Sequence, residues 1–305
     1  MLGAQPAATV VMEACGSAHY WGRRAQQHGH DVVLIPAHVV RPYVQGNKTD
    51  RTDTKGLREA FRNEEVRAVP VKSETQQALA ALHRLRSAWV ATRTARLNTV
   101  RGVLREFGVV IPVGARQVVP HVRALLEDAE ATIPGLLRPT LAEAMAEIGD
   151  LETRVRAVER QLERAAAESV VVGHLRSVPG IGLLTATALV AAVGDVQRFP
   201  TARHFASYLG LTPRERSSGR RRHLGAISKR GDTYLRMRLI HGARAVLWHA
   251  KRRPAGPLDR LRTWALQLER LRGHNKAAVA LANKLARIAW AVWKRGTGFT
   301  AVPMV

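Results

Sequence analysis

Residues 9–35, TVVMEACGSAHYWGRRAQQHGHDVVLI, decide how the chain begins to fold. Residues 9–12 form a short β-branched and apolar run, followed by Glu13. Ala14, Cys15, Gly16 and Ser17 are turn-forming, and residues 18–27 suit a helix that Gly29 ends. Residues 31–35 make a second apolar run, stopped by Pro36. Strand, helix and strand with short connections read as a βαβ unit, which requires parallel strands. Glu13 then closes a strand expected to be buried, at the carboxyl edge where α/β sites form. The plain alternative is a surface glutamate just past the strand.

Outward from this unit, Pro42 and Gly46 break the chain, residues 50–63 are expected to be helical, and residues 66–71 to be extended around Pro70. The character changes at Glu74. Residues 74–107 read as one long helix with Leu79, Leu82, Leu85 and Trp89 on one side, and residues 108–114 as a loop. Leu137, Leu141, Ala144, Ile148, Leu151, Val155, Val158 and Leu162 then alternate steps of four and three, a heptad seam flanked by Glu and Arg. Such a seam needs a partner. It is either the helix from Glu74, in an intrachain hairpin, or a second copy in a coiled-coil dimer. The last third is helical again, over residues 182–192, 201–209, 232–249, 258–271 and 276–293, with a basic, glycine-punctuated segment at 214–230. The expected fold is therefore α/β plus mostly α, in three parts: 1–72 α/β, 73–170 long helices and coiled coil, and 171–305 helical.

Charge narrows the function. Of 305 residues, 48 are Lys or Arg against 24 Asp or Glu, giving a formal net charge of +24. A surplus of this size repels itself unless a polyanion comes close. The basic residues outnumber acids along most of the chain, which points to nucleic acid, DNA or RNA. A membrane surface, or a host lineage rich in Arg, would be the bland explanation. The single cysteine, Cys15, excludes a disulfide framework and a Cys-rich zinc site, and the 12 histidines show no paired ligand spacing. Residues 1–8 lack the form of a signal peptide, and no apolar run nears the roughly 18 residues of a membrane span. A cytoplasmic protein without membrane contact is expected.

Three places could carry chemistry. Asp50 and Asp53 lie three apart at a helix start, so both carboxylates can reach one point, where a divalent cation would relieve their repulsion. Equally, Asp50 caps the helix, Asp53 favours its positive end, and nothing is bound. Ser177-Val178-Pro179-Gly180-Ile181-Gly182 precedes an apolar helix rich in Ala and Thr. Gly180, Ile181 and Gly182 would form the corner of a helix-hairpin-helix motif, whose unpaired N–H groups grip a phosphate. An ordinary helix–helix turn has the same composition. Arg220, Arg221 and Arg222 open the densest basic stretch, which continues through Ser228, Lys229 and Arg230. It lacks aromatics and so would hold phosphates rather than stack bases. Ser228 is its lone hydroxyl, either a nucleophile held against a phosphodiester by cations or a serine that merely hydrogen-bonds one.

Together these residues resemble one family. Met12-Glu13-Ala14-Cys15-Gly16, Asn47-Lys48-Thr49-Asp50-Arg51-Thr52-Asp53, Val178-Pro179-Gly180-Ile181-Gly182 and Ile227-Ser228-Lys229-Arg230-Gly231-Asp232 occur in this order in insertion-sequence transposases of the IS110 type, particularly the IS1111 subgroup. The segment from Asn275-Lys276-Ala277 to Trp290 is similar as well. The resemblance implies a RuvC-like domain of RNase H type, a coiled coil, and a C-terminal transposase domain with the active serine. It implies four metal-binding acids, Asp, Glu, Asp, Asp, which bind Mg²⁺. Glu13, Asp50 and Asp53 match the second, third and fourth, and Ser228 the nucleophile. It further implies a structured bridge RNA that pairs with donor and target DNA, and a homo-oligomer, dimer or tetramer, in which one chain's acids complete another chain's serine site. The first Asp of the pattern has no match: residues 1–12 contain no acid. The α/β domain is thus expected to be truncated, and the chain alone to cleave DNA weakly or not at all. Two other functions stay open, a non-catalytic nucleic-acid-binding remnant and a junction-resolving nuclease that uses only the carboxylates.

Overall fold

The computed structural model describes residues 5–47, 49–252 and 259–301; Lys48 of the Asn47–Asp53 motif and Leu258, expected to open a helix, lie outside the described residues. The chain divides into two compact units, Met1–Ala78 with Leu189–Pro200, and Leu79–Ala188 with Thr201–Val305.

The first unit starts with the expected βαβ. Strands β1 (Thr9–Glu13) and β2 (Asp31–Ile35) pair in parallel, in register from Thr9 opposite Asp31 to Glu13 opposite Ile35, with α1 (Ala18–Gln27) between them. Val69 adds one antiparallel bridge to Leu34. The short α2 (Ala37–Val40) leads to α3 (Asp50–Arg62). Ile35, Val40 and Ala60 form the core of this unit, with Val11, Val33 and Leu57 packed on it. Because side chains alternate along a strand, Val11, Val33 and Ile35 share the face that α3 covers. β1 was expected to be buried, but its residues are at most half-buried: among the described residues it pairs only with β2.

The second unit holds most of the helix α4 (Glu74–Glu106), then α5 (Ala115–Glu127), α6 (Arg138–Ala167) and α7 (Val170–Arg176). Arg86 pairs with Glu159, Arg93 with Glu152 and Arg96 with Glu147. Numbers rise on α4 as they fall on α6, so the two helices run antiparallel. Leu97, Val100 and Leu104 pack with Leu141, Met145 and Ile148 along this hairpin. The heptad seam thus finds its partner within the chain. Two details depart from the expected stripes. Met145, rather than Ala144, is buried in the seam, and Leu85 is 49% exposed while His83 takes the inward position on α4. Helix α5 was not expected at all, since Pro120 stands inside it.

Helices α8 (Leu183–Val193) and α9 (Ala202–Tyr208) lead to a hairpin of β3 (Pro213–Glu215) and β4 (Leu224–Ile227), then α10 (Thr233–Arg252), α11 (Arg260–Arg272) and α12 (His274–Arg295). Within this unit α12 is central: it packs against α7, α9, α10 and α11. Its buried stripe of Ala277, Ala278, Leu281, Ala282, Leu285, Ala286 and Ala289 keeps the helix axes close. The segment expected to be an irregular basic loop contains the β3–β4 hairpin instead. Among the described residues no helix is long and apolar enough to cross a membrane.

Candidate functional site

Glu13 ends β1 half-buried, and by alternation it shares the face of Val11, the face covered by α3. On α3, half-buried Asp53 lies on the helical face of Leu57 and Ala60, which pack with Val11, Val33 and Ile35, while Gly56 on the same side abuts Tyr43 and Val44. By strand alternation and helical period, Glu13 and Asp53 fall on the sides of β1 and α3 from which these two packed elements meet. Asp50 sits one turn earlier and is exposed, beside a depression also lined by Arg51, Thr54, Lys55 and Arg58. The expectation that Asp50 caps α3 is corrected. Thr49 is the N-cap: its Oγ1 accepts from the Thr52 N–H at 3.2 Å, and the Thr49 N–H donates to Thr52 Oγ1 at 3.0 Å. The capping box leaves the Asp50 carboxylate uncommitted. Among the described residues no ion pair or hydrogen bond engages the carboxylates of Glu13, Asp50 or Asp53, although Arg pairs with Glu at many other places in the molecule.

No three His, Cys, Asp or Glu residues among those described converge as a metal-binding group. Mg²⁺ asks less of a protein: it is commonly held by one or two carboxylates together with substrate phosphates and water. Glu13 and Asp53 carry the hard oxygen donors that this mode uses.

Ser228 follows directly on β4, half-buried. Its N–H donates to the Thr212 carbonyl at 2.8 Å, and its carbonyl accepts from the Arg214 guanidinium at 3.3 Å. The next residue, Lys229, has φ +56°, and its N–H donates to the Gly210 carbonyl at 3.1 Å. A side chain at positive φ costs about 1–2 kcal/mol and persists only where the surroundings impose it, a pattern that clusters at active sites. Only Ser17 shares this feature among the described non-glycine residues, and it stands in the turn just past Glu13. Backbones are tightly apposed here. A Cβ on Gly210 would meet the Arg230 carbonyl oxygen at 1.9 Å, and one on Gly231 the Tyr208 oxygen at 1.9 Å. Below the loop, the Asp232 carboxylate caps α10 by accepting from the Leu235 N–H at 3.0 Å. Arg236, 8% exposed, donates to the carbonyls of Leu209 and Arg230. Arg236 was missed in the sequence, where an arginine in a basic protein reads as surface charge; its only signal was its place in the apolar stripe of Leu235, Leu239 and Ala243.

Lys229 and Arg230 are exposed beside Ser228. Arg220 and Arg221 are exposed in the hairpin turn, where Ser218 and Arg221 exchange backbone hydrogen bonds. Arg222 is engaged instead with Glu215 across the hairpin at 3.1 Å. Hydrogen bonds from Ser217 and Arg222 hold the Glu215 carboxyl below its ordinary range.

At the corner between α7 and α8, Gly180 has φ +79° and abuts α10: a Cβ there would meet the Gly242 carbonyl oxygen at 2.7 Å. Ile181, expected among the nucleic-acid contacts, is 2% exposed and its N–H donates to the Val178 carbonyl. Its side chain is a core anchor. Gly182 is exposed and its carbonyl starts α8, so the backbone this corner presents to solvent begins at Gly182. A second buried polar group unseen in the sequence is His83, hydrogen-bonded to Thr187 at 2.9 Å and Tyr234 at 3.0 Å. Burial, then the charges of Arg238 and Arg86, push its pKa down to about 4.

The family profile described as "Transposase IS116/IS110/IS902 family" matches residues 172–256, and the DEDD profile of IS110 transposases, described as "Transposase", matches residues 2–109. A probable family 20 transposase of Pseudomonas aeruginosa is 45% identical over 96% of this chain and 86% of its own length. The chain belongs to the IS110/IS116 transposase family. The transposase for insertion sequence element IS1111A of Coxiella burnetii is 37% identical over 94% of this chain and 78% of its own. That for IS1328 of Yersinia enterocolitica is 36% identical over 97% and 86%. The chain is thus a transposase-type enzyme whose substrate is DNA. The DEDD match contains Glu13, Asp50 and Asp53, and the IS116/IS110/IS902 match contains the 177–182 corner and Ser228.

Proposed function

We propose that this transposase cuts and rejoins DNA strands by a serine-nucleophile route assisted by Mg²⁺. The observation that carries the reading is the Ser228 loop: a hydroxyl next to an imposed positive φ, pinned from behind by Arg236 and flanked by exposed Lys229 and Arg230. The Ser228 hydroxyl attacks phosphorus, the DNA 3′-hydroxyl leaves, and a phosphoserine link holds the other end. The reverse attack by a 3′-hydroxyl rejoins strands, so the phosphoester energy is conserved. Lys229 and Arg230 fix the phosphate and offset its charge. Bound Mg²⁺ supplies charge neutralisation at the scissile phosphate. Glu13 and Asp53, with Asp50 adjoining, would hold it. A structured bridge RNA selects donor and target, and a dimer or tetramer lets the acids of one chain serve the serine of another. Gly182, Arg220 and Arg221 grip phosphates outside the reacting position, and an RNase H-type, RuvC-like domain with a helix-hairpin-helix corner is the fold assignment that accompanies this reading.

The test is a labelled-DNA assay under denaturing conditions, with the RNA that copurifies retained. A covalent adduct lost in Ser228→Ala supports the reading. The second reading, a non-catalytic binder, is favoured by the absence of a three-acid group among the described residues. It predicts steeply salt-dependent binding and no adduct. Metal-dependent nicking that survives Ser228→Ala would instead mark a junction-resolving nuclease.

A further inference from the structure

Beside the Ser228 loop, a cleft of about 1280 Å³ opens between β4 and helices α11 and α12. Ile227 is in its wall, and Ser228 is the next residue. Trp264, Lys276, Lys284 and Arg287 line it over an apolar floor, and no Asp or Glu stands among the described lining residues. The Lys284 ammonium lies 4.0 Å above the Trp264 ring. Burial and then the Arg287 charge hold the Lys284 pKa below its ordinary value, a crowding of positive charge that an anion would relieve. The volume exceeds the about 300–1,000 Å³ typical of small-ligand sites.

Resting on the Ser228 reading, we propose that this cleft receives a stretch of single-stranded DNA flanking the scissile phosphate. Three features select this occupant. Cations without acids demand an anion. An apolar floor with an aromatic ring suits unstacked bases, whereas a duplex would present only phosphates to it. Continuity with Ser228 places the strand's neighbouring nucleotides in the cleft once its phosphate is at the hydroxyl. The cleft thus prefers DNA that is melted or displaced at the cut.

The full chain is tested by fluorescence anisotropy with a labelled oligothymidylate, a duplex of the same length, and an oligouridylate. Lys276→Glu/Arg287→Glu changes two exposed positions of α12. It should weaken oligothymidylate binding about tenfold or more and reduce the salt slope by about 1.4, near 0.7 for each lost contact to a single strand. Duplex binding should change less than about twofold, because its phosphates are held elsewhere. The neutral pair Lys276→Gln/Arg287→Gln should give a smaller loss of the same selectivity, and it serves if the charge reversal disturbs folding. Unchanged oligothymidylate binding, or equal losses for single strand and duplex, overturns the proposal. So does a loss confined to oligouridylate, which makes this an RNA cleft, or a loss of self-association, which makes it a contact for a second copy. Ser228→Ala separates this from the parent reading: it should abolish the adduct and leave oligothymidylate binding intact. Selective binding without any adduct in the wild type would retain the cleft and refute the nucleophile.

Discussion

Gly210→Ala should disable the Ser228 loop without removing any side chain proposed to contact DNA. Gly210 has φ +69°, and its added Cβ would stand 1.9 Å from the Arg230 carbonyl oxygen. The positive φ alone costs about 1–2 kcal/mol. Reduced freedom of the unfolded chain returns only about 0.4–1 kcal/mol. The clash is with backbone, so no side-chain rotation relieves it. Even the tightest separation that real Cβ atoms show, 3.0 Å, requires the 228–231 segment to retreat from Gly210 by at least roughly 1 Å. Lys229 also loses its hydrogen bond to the Gly210 carbonyl in that movement. A displacement of about 1 Å at a reacting group can cost 10²-fold. We expect the rate of adduct formation to fall by about that factor, while circular dichroism shows helix content retained. Gly219→Ala is the control. Its φ of +55° imposes similar strain, but nothing lies within 4 Å of the new Cβ. It should lower stability by about 1 kcal/mol and leave the adduct rate unchanged within about twofold. A Gly210→Ala protein with wild-type adduct rate would refute the claim that this apposition sets the position of Ser228.

Further outcomes follow from other parts of the molecule. His83 keeps a folded pKa of about 4 against an ordinary 6.5, so below pH 6.5 the unfolded chain binds a proton that the folded one refuses. Its contribution is present above 6.5 and is lost as pH falls toward about 4, on the order of 3 kcal/mol; in His83→Asn, denaturant titrations should show a flatter pH dependence across that window. Ile148→Ala removes a fully buried side chain from the α4–α6 hairpin and should cost about 2–5 kcal/mol in urea unfolding; a loss under about 1 kcal/mol would mean the seam is not packed as described. Arg220→Ala/Arg221→Ala should lower the salt slope of duplex binding by up to about 1.8, equally for all sequences; a sequence-dependent loss would show that the hairpin turn reads bases.

The elements that were legible in the sequence are those with a local period and a clear stop. Helix α1, strand β2 and helix α4 end where Gly29, Pro36 and the glycines and prolines of 108–114 interrupt them. The seam of α6 was legible as a seam, but not its partner, because a heptad pattern states that an apolar face is covered and not by what. The register of α4 against α6 is written in the pairing of Arg86, Arg93 and Arg96 with Glu159, Glu152 and Glu147, which no local pattern shows. The β3–β4 hairpin was hidden by composition: arginines and glycines fill it, and few β-branched residues mark it. Helix α5 was hidden by Pro120. At the site, Thr49 as N-cap was overlooked because Asp50 is an equally good cap by type. His83, Arg236 and the cleft of Trp264, Lys276 and Arg287 draw their meaning from distant neighbours, and each residue by itself reads as ordinary surface or core.

The serine route is tested most directly by the residue at which the chain becomes bonded to DNA. Peptide mapping by mass spectrometry should be run after incubation with cleavable DNA and Mg²⁺, with and without a chelator. A nucleotide attached at Ser228 is expected, lost on chelation and in Glu13→Gln and Asp53→Asn. DNA cut with no modified serine, or an attachment at any other residue, would contradict that route.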